Sequence, residues 1–158
     1  MKILTLLDRT PTISILQMVK DHNPEMIFTL GDFHSLALAE LAQINHIPKL
    51  GLYGNHCNRG YLEEYCIVNM HLNTFEYKGT AFGGFEGCVR YKTSNTAPMF
   101  TQEECTEMMA NFPRVDLFLS YCPPFGVNDD QHDPIFTMLK IRELLSLEKL
   151  GWLRFDVL

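Results

Sequence analysis

Met26-Ile27-Phe28-Thr29-Leu30-Gly31-Asp32 and Lys49-Leu50-Gly51-Leu52-Tyr53-Gly54-Asn55-His56 are two short apolar runs, each closed by glycine and a polar residue. A third run upstream, Ile3–Leu7, is closed by Asp8. Asp8, Asp32 and Asn55 fall 24 and 23 residues apart, the length of one strand-helix-strand unit. Short continuous apolar runs read as strands buried on both faces. If the three are parallel neighbours, Asp8, Asp32 and Asn55 converge at one edge of one sheet. Open α/β sheets place their ligands at that edge.

The intervening segments read as helices. Thr10-Pro11 offers an N-cap followed by proline at the first helical position, with Ile13, Leu16 and Val19 at helical spacing. Ser35 caps the next helix, whose apolar stripe is Leu38, Leu41 and Ala42. Strands at Lys2–Leu7, Met26–Leu30 and Lys49–Tyr53 alternating with these helices predict an α/β fold with a parallel sheet.

The second half reads differently. Leu72–Tyr77 and Thr80–Phe82, joined through Lys78-Gly79, predict a β-hairpin. Gly83-Gly84-Phe85-Glu86-Gly87 reads as a glycine-rich turn and Val89–Phe100 as a loop. Thr101 and Glu104 make a capping-box pattern opening a helix to about Asn111. Val115–Ser120 reads as a strand ended by Tyr121-Cys122-Pro123-Pro124, and Ile135–Leu147 as a last helix.

At 158 residues, with no repeat, low-complexity tract or linker, the chain is expected to form one domain, residues 1–158. A net charge of −6 gives no electrostatic reason to expect nucleic-acid or membrane binding. An anionic ligand would need local positive charge from a metal or backbone amides. Five cysteines (Cys57, Cys66, Cys88, Cys105 and Cys122) without any CxxC pair point away from a zinc-cysteine site or a disulfide framework. Together with the absence of a signal-peptide pattern or a long apolar span, they predict a cytoplasmic protein.

Aspartate and asparagine oxygens are hard donors suited to magnesium, manganese, iron or zinc. Two metals roughly 3.5–4 Å apart can clamp a phosphoester and activate a hydroxide. Asp32 stands where a bridging carboxylate belongs, and His56, beside Asn55, could protonate a leaving oxygen. Each residue also has a plainer reading. Gly-Asp alone is a turn, Asp8 alone a helix cap, and His34 a loop residue. Arg90 is either a phosphate ligand in the crevice or an ordinary surface arginine. Asp129-Asp130-His132-Asp133 reads as a solvated acidic loop. Cys57 and Cys122 are either neighbours at the site or buried spectator thiols.

Taken together, these motifs resemble the calcineurin-like metallophosphoesterase superfamily, particularly its small prokaryotic members. The resemblance covers residues 1–134: Asp8, Gly31-Asp32, Gly54-Asn55-His56, Asn69-Met70-His71-Leu72 and Gly83-Gly84-Phe85. It extends to Arg90-Tyr91, the Thr101–Glu104 helix start and Pro123-Pro124-Phe125-Gly126. It implies a two-sheet sandwich flanked by helices, here shortened at the C-terminus. By the same resemblance Asp8 binds one metal, Asp32 bridges both, Asn55 binds the second and His56 assists the leaving group.

The departures are as specific as the matches. Thr10 stands where the family has the histidine of Asp-x-His, and Cys57 where it has an acidic residue after Gly-Asn-His. Tyr121 stands in place of a metal-binding histidine, and the family's final Gly-His-x-His is missing. His132 falls at the wrong spacing to replace it. The expectation is a weakly bound divalent metal or none. The function expected is a binding or regulatory derivative, holding a phosphate ester, a nucleotide or a protein partner with little or no hydrolysis. The alternative is an active metal-dependent phosphatase or phosphodiesterase with a reduced or subunit-shared metal site. A damaged reading frame, with a tail that carries no function, is the third reading. The Leu-rich stretch Leu144–Leu158 is expected either to cover an exposed sheet edge or apolar face or to drive homodimerisation, with Trp152 and Phe155 as its anchor.

Overall fold

The computed structural model describes residues 1–7, 9–93 and 96–122. Asp8, the Pro123-Pro124 turn, the acidic stretch 129–133, the helix expected at Ile135–Leu147 and the tail 144–158 all lie outside them. Within them the chain is mixed α/β. Strands β1 (Ile3–Leu7), β2 (Met26–Gly31), β3 (Lys49–Tyr53) and β4 (Val68–Asn69) form one sheet in that order. Every pairing in it is parallel. Strands β5 (Thr74–Tyr77), β6 (Thr80–Phe85) and β9 (Leu117–Ser120) form a second sheet, in which β5 runs antiparallel to β6 and β9 parallel to it. Two short strands, β7 (Cys88–Val89) and β8 (Met99–Phe100), pair in parallel beside it.

Alternation along the strands sorts the core into two sides of the first sheet. Leu6, Ile27 and Tyr53 pack with Ile15 of helix α1 (Ile15–His22), Leu38 and Leu41 of a 3-10 helix (Ser35–Gln43), and Tyr61 and Leu62 of the short helix α2 (Tyr61–Glu64). Met26, Phe28, Leu30, Leu50 and Leu52 instead meet Phe82 of β6 and Leu119 of β9. The Phe28 and Phe82 rings stand edge to face at 6.0 Å. Behind the second sheet, Phe85 packs against Cys105 and Met109 of helix α3 (Gln102–Met109). The layers run helices, first sheet, second sheet, α3. No helix among the described residues is long and apolar enough to cross a membrane.

Several boundaries differ from expectation. Helix α1 begins at Ile15, not after Thr10-Pro11; its N-cap is Ser14, whose hydroxyl accepts from the Gln17 amide. Glu40 fixes this start from the neighbouring 3-10 helix by accepting from both the Ser14 hydroxyl and the Leu16 amide. Ser35 does not cap the second helix; His34 holds the cap position and makes no side-chain cap bond. Gly83-Gly84-Phe85 is not a turn but the end of β6. The expected loop at Val89–Phe100 begins and ends in the paired β7 and β8. The capping box of α3 forms in full, with both the Thr101 and the Glu104 side chains engaged.

Lys49 shows how the first sheet fastens its helices. Its side chain is buried at the start of β3, and its Nζ donates at 2.7 Å to the carbonyls of Leu41 and Tyr65. Those carbonyls lie near the ends of the 3-10 helix and α2, where backbone oxygens lack helical partners. Burial pushes the ammonium's pKa down.

Candidate functional site

The register β2–β3 sets Gly31 beside Tyr53, so Asp32 and Gly54 leave the sheet side by side. A Cβ on Gly54 would fall 2.1 Å from Asp32 Oδ1, so only glycine permits this approach. The next turn then lets the His56 amide donate to Asp32 Oδ1 at 2.9 Å. From the second sheet, Tyr121 follows the end of β9, and its hydroxyl donates to Asp32 Oδ2 at 2.9 Å. Asp32 is thus gripped by a donor on each oxygen, one from each half of the described chain.

Asn55 is buried, and its Nδ2 donates to the Tyr91 hydroxyl at 2.9 Å. His56 reaches Asp32 through its backbone; its side chain is exposed. Cys57 turns inward, with Sγ 3.1 Å from the Gly31 carbonyl, 3.3 Å from the Tyr61 hydroxyl and 3.5 Å from Asp32 Oδ1. Burial pushes its thiol pKa up, and that of the Tyr61 phenol well above its ordinary value. Both groups are neutral supports for the Gly31–Asp32 turn.

Arg90 lies elsewhere. Its guanidinium donates to both carboxylate oxygens of Glu104, at 2.9 and 2.7 Å, and to the Met99 carbonyl at 3.2 Å. It therefore braces the capped start of α3. Beyond the ends of β3 and β6, Glu86 is fully buried and pairs through Oε1 with Arg59 at 2.5 Å. Its Oε2 has no hydrogen-bond partner, and burial pushes the carboxyl's pKa up. His71 accepts the Glu86 amide at Nδ1, stacks on Phe100 and meets Phe85 edge-on. Burial, with the Arg59 charge as the lesser cause, lowers its pKa to about 4.

The structure brings Asp32, Asn55 and the His56 backbone together, sets Arg90 apart, and does not describe Asp8. The residues that sequence reasoning missed are Tyr91, Tyr61 and the Arg59–Glu86 pair. Tyr121 was visible only as a replaced histidine, not as the donor on Asp32. Adjacency was the available signal, since Tyr91 follows Arg90 and Glu86 follows the Gly83-Gly84 pair.

Among the described residues no three His, Cys, Asp or Glu side chains group so as to hold a metal ion. Asp32 and Asn55 contribute one carboxylate and one amide, and Oδ2 already accepts from the Tyr121 hydroxyl. A zinc site takes three or four protein ligands including nitrogen or sulfur. The described donor set does not fit a dinuclear centre. The chain matches no protein-family model, and no curated protein was found to match it.

Proposed function

We propose that this chain is a single domain built on the calcineurin-like metallophosphoesterase scaffold, and that it binds a phosphate ester or nucleotide with little or no hydrolysis. The observation that carries the reading is the state of Asp32. The residue cast by the resemblance as the bridge between two metals instead accepts the Tyr121 hydroxyl on one oxygen and the His56 amide on the other. A metal on Oδ2 would share that oxygen with the phenol and compete with its hydrogen bond. The layering of helices, parallel sheet, second sheet and α3 supports the sandwich on which that family is built.

The ligand class follows from what the crevice offers. The Asn55 carboxamide, just past the end of β3, and the Tyr91 hydroxyl that it meets are polar groups near strand ends, where open α/β sheets bind phosphates and nucleotides. The reading places the protein in the cytoplasm, in keeping with five cysteines of which none forms a disulfide.

Calorimetric titration with a panel of mono-, di- and cyclic nucleotides tests the proposal. At least one member should give saturable binding that weakens on Asn55→Ala. A flat response to the whole panel overturns nucleotide binding and leaves a protein partner. Turnover of a generic phosphodiester with millimolar manganese, abolished by Asp32→Asn, would instead favour the active enzyme.

A further inference from the structure

Neighbouring strands β6 and β9 run parallel, with Phe85 beside Ser120 at their paired ends. Cys88 lies three residues beyond Phe85 and Cys122 two beyond Ser120, so the two chains carry their cysteines out of the second sheet together. Both are buried, and they share one cluster with Met99, flanked by Ala97 and Tyr121. The Cys88 thiol also donates to the Val89 carbonyl at 3.4 Å. Cys57, the other cysteine near the site, faces Gly31 and Tyr61 instead.

We propose that Cys88 and Cys122 are a peroxide-oxidisable thiol pair that closes into a disulfide next to the Tyr121–Asp32 contact. Cys88 is the attacking sulfur. The Cys122 hydrogen bond holds its thiol pKa below the ordinary range against burial and the Asp32 charge, which raise it, and the Lys92 ammonium adds a smaller lowering. Burial alone pushes Cys105 the other way, up to about 12. The thiolate is the reactive form, so the two buried cysteines differ in reactivity for a physical reason.

The chemistry balances with hydrogen peroxide as the oxidant. The Cys88 thiolate attacks one peroxide oxygen; the S–O bond forms, the O–O bond breaks, and hydroxide leaves to take up a proton as water. The Cys122 sulfur then attacks the Cys88 sulfenic acid; the S–S bond forms, the S–O bond breaks, and a second water leaves with the Cys122 proton. Two thiols lose two electrons, and the peroxide gains them.

The bond would tie the residue after Tyr121 to β7. It would hold the phenol on Asp32, whereas the reduced pair leaves Tyr121 able to withdraw. That consequence for ligand access rests on the reading of the crevice above. Formation of the disulfide does not.

The test treats the whole reduced chain with hydrogen peroxide, then counts thiols and maps peptides. The expected result is loss of two of the five thiols, a Cys88–Cys122 linked peptide, and full reversal by dithiothreitol. In Cys122→Ser the expected product is a dimedone-reactive sulfenic acid at Cys88. Cys88 and Cys122 remaining as thiols while exposed Cys66 oxidises would overturn the proposal, as would a Cys57–Cys122 link. Mapping of the unsubstituted chain decides the matter if the variant fails to fold. Failure of nucleotide binding would leave the linked peptide unaffected, so the two proposals fall separately.

Discussion

Tyr121 and Asp32, 89 residues apart in sequence, meet through a 2.9 Å hydrogen bond from the phenol to Oδ2 of the carboxylate. The bond joins the end of the second sheet to the end of the first. It stabilises the sheet-to-sheet junction and at the same time engages one of the two lone pairs of an oxygen that a metal would use. Stability and metal affinity are therefore opposed at this contact.

Tyr121→Phe separates the two effects. Loss of a partly buried hydrogen bond to a carboxylate should cost about 1–2 kcal/mol in denaturant unfolding. The same change exposes Oδ2 to a competing cation. Added manganese should then raise the melting temperature of Tyr121→Phe more than that of the unsubstituted chain. Equal manganese responses would show that the phenol does not compete for the site.

Gly54→Ala tests the packing that makes the grip on Asp32 possible. The added methyl would lie 2.1 Å from Asp32 Oδ1 and 2.8 Å from the Tyr121 ring. Overpacking of this kind costs about 1–3 kcal/mol. Asp32→Ala removes one of the two obstructing groups, so the double variant should be more stable than the sum of the single effects. Additive losses in a double-mutant cycle would mean that Gly54 matters for some other reason.

What the sequence made legible was the set of features encoded locally. Lys49–Tyr53 is a strand with the expected bounds, because residues 50–53 of this central strand are buried on both faces and carry no charged side chain, while Lys49 at its start is satisfied by two helix-end carbonyls. The capping box at Thr101 and Glu104 closes within four residues and needs no distant partner. Features set by tertiary contact were not legible. Ser14 wins over Thr10 as the α1 cap because Glu40, 26 residues away, holds its hydroxyl. Gly83 and Gly84 resemble turn residues but sit in β6, because the Phe112 ring and the Met70 backbone press against them where side chains would stand. At the candidate site, Asp32 and Asn55 could be placed by counting along strands. Tyr121 could be recognised as a replacement, but its contact with Asp32 depends on how the two sheets meet.

The α3 cap offers a check on Arg90. Thr101→Ala removes the side chain that accepts the Glu104 amide and should cost about 1 kcal/mol in unfolding free energy. Arg90→Ala removes an ion pair whose members are 40% and 42% exposed, and should cost less than about 1 kcal/mol. If Arg90 is a ligand of the crevice instead, its removal should weaken nucleotide binding while leaving stability nearly unchanged. Paired melts and titrations on Arg90→Ala distinguish the two roles.

His71 should make the fold acid-sensitive. It faces the Glu86 amide, the Phe85 and Phe100 rings and the charge of Arg59, a setting in which the neutral imidazole is favoured. Its folded pKa of about 4 lies below the ordinary 6.5, so between those values the unfolded chain binds more protons. Stability is then complete above pH 6.5 and falls as the pH drops toward 4, by at most about 3 kcal/mol. Glu86 acts in the opposite sense, since burial raises its pKa and its protonated form is favoured in the fold. The comparison must therefore be made against His71→Gln, which keeps Glu86 and removes only the imidazole. Between pH 7 and pH 4.5 the unsubstituted chain should lose more stability than His71→Gln. Parallel stability curves for the two proteins across that range would show that the imidazole is not held neutral.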